Sequence, residues 1–345
     1  MLIVKQQNIT GFTHLSQVSN TLFPHFTIMN NTLHHLSFLK DQSQLLGYLD
    51  DVIDFAITNI NALQTHHPFW TQPYSTGIEW VDKILAETAL LGLITKRVEI
   101  YDFALQEKLQ QLSAVVAPFV RSTSYLQKIM RNPQMVTVYG MGHIALTAAG
   151  HSDTYFDYVV KKAVGTRLYE ASEKIPFRDL DTMWLLSLYD QDNYKVSFDK
   201  VAACSILNSN GNVFFFSRSD AYAVTHTIFY LTDFGRVGLP FSVDTKKVGR
   251  MIDEIICWNV LSADLDLLGE RLICAVLLGE KLSSYALVGL AYFFRTWQHF
   301  TILFGPSFDP TYFQTLEGAE ARAYTFQNTY HTYYLYWRNF VCLSA

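Results

Sequence analysis

The sequence predicts an all-α fold of stacked helical hairpins, either closed as an α/α barrel or left open as an α-solenoid. Three observations carry that prediction. Segment after segment places its apolar residues at helical period. Of 345 residues, 50% are hydrophobic, 15% aromatic and 17% charged, which supports a large core and is the reverse of a disordered composition. Strand-like composition is confined to two short stretches, Val136-Thr137-Val138-Tyr139 and Val213-Phe214-Phe215-Phe216, read as a helix start and a loop. Low charge with many aromatics favours the closed ring, whose inner helices are buried on most sides.

The first helix, predicted over 39–63, gathers Leu45, Leu46, Leu49, Ile53, Phe55, Ile57 and Ile60 on one broad face, with Asp41, Gln42, Asp50 and Asp51 opposite. The same pattern predicts helices over 76–96, 99–116 and 123–130. The last must stop ahead of Pro133, because proline pushes its predecessor out of the α region. Next come 135–149, 154–171, 180–190 and 198–207, then 220–233, 243–261, 265–278, 282–299 and 317–340. Loops separate them at 208–212, 235–240 and 305–310, where Gly, Pro, Asn and Ser cluster. Ser197, Ser219 or Asp220, and Ser242 are the candidate caps for the helices that follow them. The chain reads as one helical domain over 1–345, with 1–35 as a loosely attached segment.

Charge and cysteine usage exclude several classes. The 26 Lys and Arg against 31 Asp and Glu give −5, and no block of five basic residues occurs. A duplex footprint needs a concentrated basic face, so nucleic acid is not an expected partner. The most apolar region, 263–294, is broken by Asp264, Asp266, Glu270, Arg271, Glu280 and Lys281, so no membrane span is expected. The first residues lack the basic-then-apolar pattern of a signal peptide, and the expected location is the cytoplasm. Cys204, Cys257, Cys274 and Cys342 form no C-x-x-C pair and read as core residues. The chain has no G-x-S-x-G, no G-x-x-x-x-G-K-[ST], no G-x-G-x-x-G after a strand and no H-E-x-x-H, so no nucleotide cofactor is expected.

One helix stands apart. In the segment 219–235, a turn of about 100° per residue puts Tyr222, His226, Phe229 and Asp233 on one face, with Tyr230 at its edge. The segment contains no Lys or Glu, so this polar stripe is expected to face a cavity or a buried network rather than solvent. His226 is then a general base, Asp233 its orienting carboxylate and Tyr222 a third catalytic group. The competing reading is a hydrogen-bonded core histidine, with Asp233 ending the helix. His143, in Gly140-Met141-Gly142-His143, is a candidate partner across the interior, and His151 reads as a cap or surface residue. A single divalent transition metal held by His226, Asp233 and His143 is an option within the same picture.

Two further places are candidate ligand contacts. Asp179 and Asp181, with Trp184 following, flank a helix start where negative charge suits the macrodipole, and an Arg178 pair can occupy one of them. On the last helix, Gln327, His331, Tyr334 and Arg338 recur at i, i+4, i+7 and i+11. They form either a second polar inner wall or an aromatic face for packing or oligomer contacts, the latter being favoured. His34-His35 and His66-His67 read as surface pairs.

The stretch Tyr222-x-x-Thr225-His226-x-x-Phe229-Tyr230-x-Thr232-Asp233-Phe234-Gly235 resembles an uncharacterised bacterial family of all-helical proteins of unknown function, and Pro176-Phe177-Arg178 belongs to the same pattern. The resemblance implies an all-helical fold, weight on His226 and Asp233, and an association with clusters for specialised metabolites, including modified peptides. It implies no reaction. The leading expectation is a tailoring enzyme acting on a peptide or small metabolite in a central helical cavity, with Tyr230, His143, Asp179, Asp181, Trp184 and His331 as substrate contacts. The alternative is a non-catalytic helical scaffold for a peptide or partner protein, and a homo-oligomer is a third possibility.

Overall fold

Seven of the helices start at a short polar side chain that accepts a hydrogen bond from the first turn's backbone, meeting donors that an α-helix leaves unpaired. Asp102 accepts from Leu105, Ser122 from Tyr125, Asp153 from Phe156, Asp244 from Lys247 and Asp264 from Leu267. The computed structural model describes residues 42–62, 68–75, 77–97, 102–190, 198–279, 281–299 and 308–344. Segment 1–35, His34, His35, His66, His67 and Ser197 therefore lie outside the described residues, as do the side chains of Arg338 and Cys342.

Fifteen α-helices are present among the described residues. They are α1 Gln42–Ala62, α2 Trp80–Arg97, α3 Phe103–Val120, α4 Thr123–Arg131, α5 Val136–Tyr139, α6 Met141–Ala148, α7 Thr154–Gly165 and α8 Pro176–Tyr189. They continue as α9 Asp199–Ala203, α10 Arg218–Leu231, α11 Thr245–Ser262, α12 Leu265–Leu277, α13 Ser284–His299, α14 Pro310–Phe313 and α15 Gly318–Ser344. A small antiparallel sheet joins β1 Pro73–Ser75 to β2 Ile78–Glu79. The all-helical class is thus as expected.

Several boundaries differ for local reasons. The segment expected to begin a helix at 76 turns back as the β hairpin, with Gly77 at φ +75° making the turn. The helix expected over 135–149 is two, α5 and α6, meeting at Gly140. The one expected over 154–171 stops at Gly165, where Arg167 adopts a left-handed conformation before a single 3-10 turn. Pro176 occupies the first turn of α8, so that helix starts four residues earlier than the apolar periodicity indicates. The α10 cap is Ser217, not Ser219 or Asp220, and Asp244 rather than Ser242 caps α11. Cys204, expected in the core, is exposed because it terminates the five-residue α9, whereas Cys274 is fully buried in α12.

Packing runs in one sequence through the fold. Helix α2 lies against α6, α6 against α8, α8 against α10, α10 against α12, α12 against α15, and α15 against α2. The other long helices cover these: α1 packs on α3 and α15, α3 on α2, and α11 and α13 on α12. Close approach is set by small residues. A Cβ on Gly142 would lie 2.7 Å from Cγ1 of Val120, so α6 meets the end of α3 only because that position is glycine. Aliphatic side chains such as Ile53, Ile84, Leu180, Val224 and Leu268 fill the core, each contributing on the order of 1.5–3 kcal/mol by leaving water.

Candidate active site

Helix α12 carries Asp266 and Glu270 four residues apart, so both carboxylates project from one face of a helix whose only other charged residue is the buried Arg271. Both are buried, at 8% and 1% exposure, and each is met by neighbouring helices. Asp266 accepts from the Tyr222 hydroxyl and from Arg218 (3.0 Å) of α10, and its other oxygen accepts from Nδ1 of His331 on α15. Arg218 also donates to Tyr222 (3.0 Å) and to Asp264. Glu270 accepts from the Thr225 hydroxyl, and its second oxygen faces His331 Nε2 at 3.8 Å.

Electrostatics follow from this geometry. Burial alone would raise the Asp266 carboxyl, but the His331 charge and hydrogen bond, then Tyr222 and Lys83, hold it well below the usual carboxylate range. Burial opposes a charge on His331, yet Asp266 and Glu87 overcome it and raise the imidazole above its ordinary value. Tyr222 is pushed far up, by burial first and then by Asp266 and Glu270, so it remains a hydrogen-bond donor.

On the facing α2, Lys83 lies 3.6 Å from Oε1 of Glu87 and over the rings of Tyr74, Trp80 and Tyr330 at 5.0, 5.8 and 5.7 Å. Burial raises Glu87, but Lys83 and then His331 outweigh it and keep the carboxyl below its ordinary value. The next residue, Thr88, accepts from the Tyr334 hydroxyl (2.8 Å) while donating to the Ile84 carbonyl (2.7 Å). The side chains of Lys83, Glu87 and His331 are 24%, 25% and 23% exposed, so the cluster is reachable from solvent although its flanks are buried.

His226 sits one turn beyond Tyr222. Its Nδ1 is 2.9 Å from the Tyr222 carbonyl, which can only accept, so Nδ1 carries the proton. Nε2 is then the unprotonated nitrogen of the neutral ring, and among the described residues no hydrogen bond engages it. Phe177, Tyr222, Phe229 and Tyr230 surround the ring. Asp181 of α8 pairs with Arg178 at 3.5 Å, and its carboxyl is raised by burial against the opposing pull of Arg178 and His226. His226 is close enough to both Asp181 and Glu87 to act on their charge.

The other residues singled out from the sequence lie elsewhere. Asp233 does not share the His226 face. The helix ends at Leu231, and Asp233 turns left-handed at φ +45°, where it accepts from Arg97 (3.0 Å), Trp184 (2.7 Å) and Arg236 (3.0 Å). Trp184 is 1% exposed, with its ring against Tyr230 and Phe234. It is a core residue with its indole N–H spent on Asp233, and Tyr230 is likewise buried. Asp179 occupies the first turn of α8. His143 accepts from Arg121 (3.0 Å) at Nδ1 and therefore donates from Nε2 to Asp157 (2.8 Å). Fully buried, it is biased toward the neutral form by burial and then Arg121, with Asp157 opposing. The three residues weighed as metal ligands thus have three separate sets of partners. Among the described residues no group of three or more His, Cys, Asp or Glu is placed to hold a metal ion. His331 does join the cluster, and Tyr330 and Tyr334 beside it are buried inside the fold rather than spread on a contact face.

Sequence reasoning missed Asp266, Glu270, Arg218, Lys83 and Glu87. The signal for the first pair is an i, i+4 repeat of carboxylates within a mainly apolar helix, read from the sequence only as a break in hydropathy.

The fold and site define an all-helical protein with an ionised, hydrogen-bonded cluster where α2, α10, α12 and α15 meet. The family model described as Domain of unknown function (DUF6895) matches residues 57–335, and the chain belongs to that family. No curated protein and no solved structure matches it. Among the described residues no helix is long and apolar enough to cross a membrane.

Proposed function

We propose that the chain is an enzyme that modifies a peptide or small metabolite by proton transfer, with His226 as general base and Asp181 as general acid. One observation supports this above the rest. The Tyr222 carbonyl fixes the His226 tautomer and leaves the Nε2 lone pair unengaged among the described residues, on a ring walled by Phe177, Tyr222, Phe229 and Tyr230. Asp181, biased toward its protonated form by burial, supplies the complementary proton, and groups whose environments push them apart divide acid and base roles in this way. The Asp266–His331–Tyr222–Arg218 network holds the walls in register, and Asp233 anchors the end of α10 from outside the site. In this reading the return of α15 to α2 closes the six central helices as an α/α barrel, with the cluster lining its interior.

The test is a mass-spectrometric screen in which peptide pools and metabolite extracts are incubated with the wild type, His226→Ala and His226→Gln. Conversion by the wild type should fall about 10²–10⁴-fold in both variants, with helical circular dichroism unchanged. Conversion retained in His226→Gln would overturn the assignment, and binding without any conversion would favour a scaffold. Where Asp181 donates, the rate should fall as pH rises through its raised value, and Asp181→Asn should abolish that limb.

A further inference from the structure

A pocket of about 230 Å³ lies between the outer helix α11 and the loop that follows Asn208. A single water needs only roughly 10–15 Å³ of such space. The loop is held in place from both sides. Asn208 donates from its side-chain amide to the carbonyls of Ala202 (3.1 Å) and Ser242 (3.4 Å). Lys247 of α11 donates to the Asn208 carbonyl (3.0 Å) and to Oδ1 of Asn210 (3.1 Å). The loop turns tightly at Gly211, where a Cβ would lie 3.2 Å from the Phe216 ring. The other wall is one face of α11, on which Lys247, Arg250 and Glu254 follow at i, i+3 and i+7. Buried Met251 and half-buried Val213 add apolar surface to the lining.

The charges of this pocket are unspent. Lys247 gives two of its three N–H groups to neutral oxygens, and among the described residues its charge meets no carboxylate. Arg250 and Glu254 are helix neighbours at i, i+4. Among the described residues neither side chain makes an ion pair or a hydrogen bond, with the other or elsewhere. Sign and position together restrict the ligand. The two cations stand one turn apart, and Glu254 lies about 6 Å beyond Arg250 along the helix axis. A lone anion is opposed by Glu254, and a lone cation by Lys247 and Arg250. A molecule carrying a carboxylate with an ammonium beside it satisfies all three. We propose that this pocket binds a free α-amino acid as its zwitterion, with the carboxylate on Lys247 and Arg250 and the ammonium on Glu254. A short aliphatic side chain then covers Met251 and Val213. The pocket shares no residue with the His226 cluster and stands independently of the catalytic reading.

Three probes separate the classes. L-leucine, isocaproate and isoamylammonium share one side chain and carry both charges, the carboxylate alone and the ammonium alone. Each is titrated calorimetrically against the full chain and soaked into its crystals. Leucine should bind saturably, between Arg250 and Glu254, and about fivefold tighter than either analogue, as loss of one exposed charge pair allows. Arg250→Gln should weaken leucine and isocaproate by about the same factor and spare isoamylammonium. Glu254→Gln should remove the preference for leucine over isocaproate. Both positions are exposed on the helix, so both variants should keep the wild-type circular dichroism. Isocaproate binding as tightly as leucine to the wild type would reduce the pocket to an anion site and overturn the proposal. Isoamylammonium doing so overturns it as well. So do crystals in which Arg250 and Glu254 pair directly with leucine absent from the pocket, and density for leucine without saturable binding in solution.

Discussion

Asp266 joins three donors from two other helices, and its removal leaves the His331 and Arg218 charges facing a gap. Breaking a buried pair from one side costs about 3–5 kcal/mol, so Asp266→Ala should lose a stabilisation of that order, measured by urea unfolding. The two ends of this pair respond oppositely to pH. Asp266, held below its ordinary value of 3.8, stabilises the fold above that value, and its contribution is lost as pH falls through the lower folded value. His331, raised above 6.5, contributes in full below 6.5 and loses its contribution as pH rises through the higher folded value. Stability should therefore decline on the alkaline side in the wild type and flatten there in His331→Gln. A decline of equal size in that variant would show that another group sets it.

Helix α10 owes its start to a reciprocal cap. Ser217 accepts from the Asp220 amide (3.2 Å), and Asp220 accepts from the Ser217 amide (2.8 Å). Arg218 is the first residue of the helix, so the cap also fixes the cation that meets Asp264 and Asp266. Ser217→Ala should cost about 0.5–2 kcal/mol, seen as a lower thermal midpoint with the fold retained. Gly142→Ala gains helix propensity but drives its Cβ into Val120, a branched side chain with little room to move. Overpacking of this kind costs about 1–3 kcal/mol, so a net loss of stability is the expected outcome.

How much could be read from the sequence differs between elements for physical reasons. Helical period located nearly every long helix, because burying a stripe demands it. His226 and Tyr222 were visible as polar residues on an apolar segment. Asp233 was misplaced because the same period, carried two residues too far, missed the left-handed turn at Asp233, Phe234 and Gly235. Lys83 and Glu87 look like an ordinary exposed i, i+4 pair. Only the packing of α15 on α2 and the β hairpin's Tyr74 show that they line an interior cluster. Asp266 and Glu270 could not be assigned partners without that tertiary arrangement.

Across the whole molecule, α15 completes what α2 and α12 leave open. It supplies His331 to Asp266, Tyr334 to Thr88, and Tyr333 stacked on Phe55 of α1 at 4.2 Å. A chain ending at residue 317 should lose cooperative unfolding by calorimetry, since Asp266 and Glu270 then lose His331 and the polar face of α2 loses Tyr330 and Tyr334. A sharp transition with an unchanged enthalpy would contradict this.

The bond between Thr88 and Tyr334 spans 246 positions. A ribosome adding about 5–20 residues per second needs roughly 12–50 s to cover that stretch. Throughout that interval the nascent α2 carries Lys83, Glu87 and Thr88 without the helix that meets them. The polar cluster is thus completed long after α2 has been made, and the emerging α2 must be kept from other partners until α15 leaves the exit tunnel.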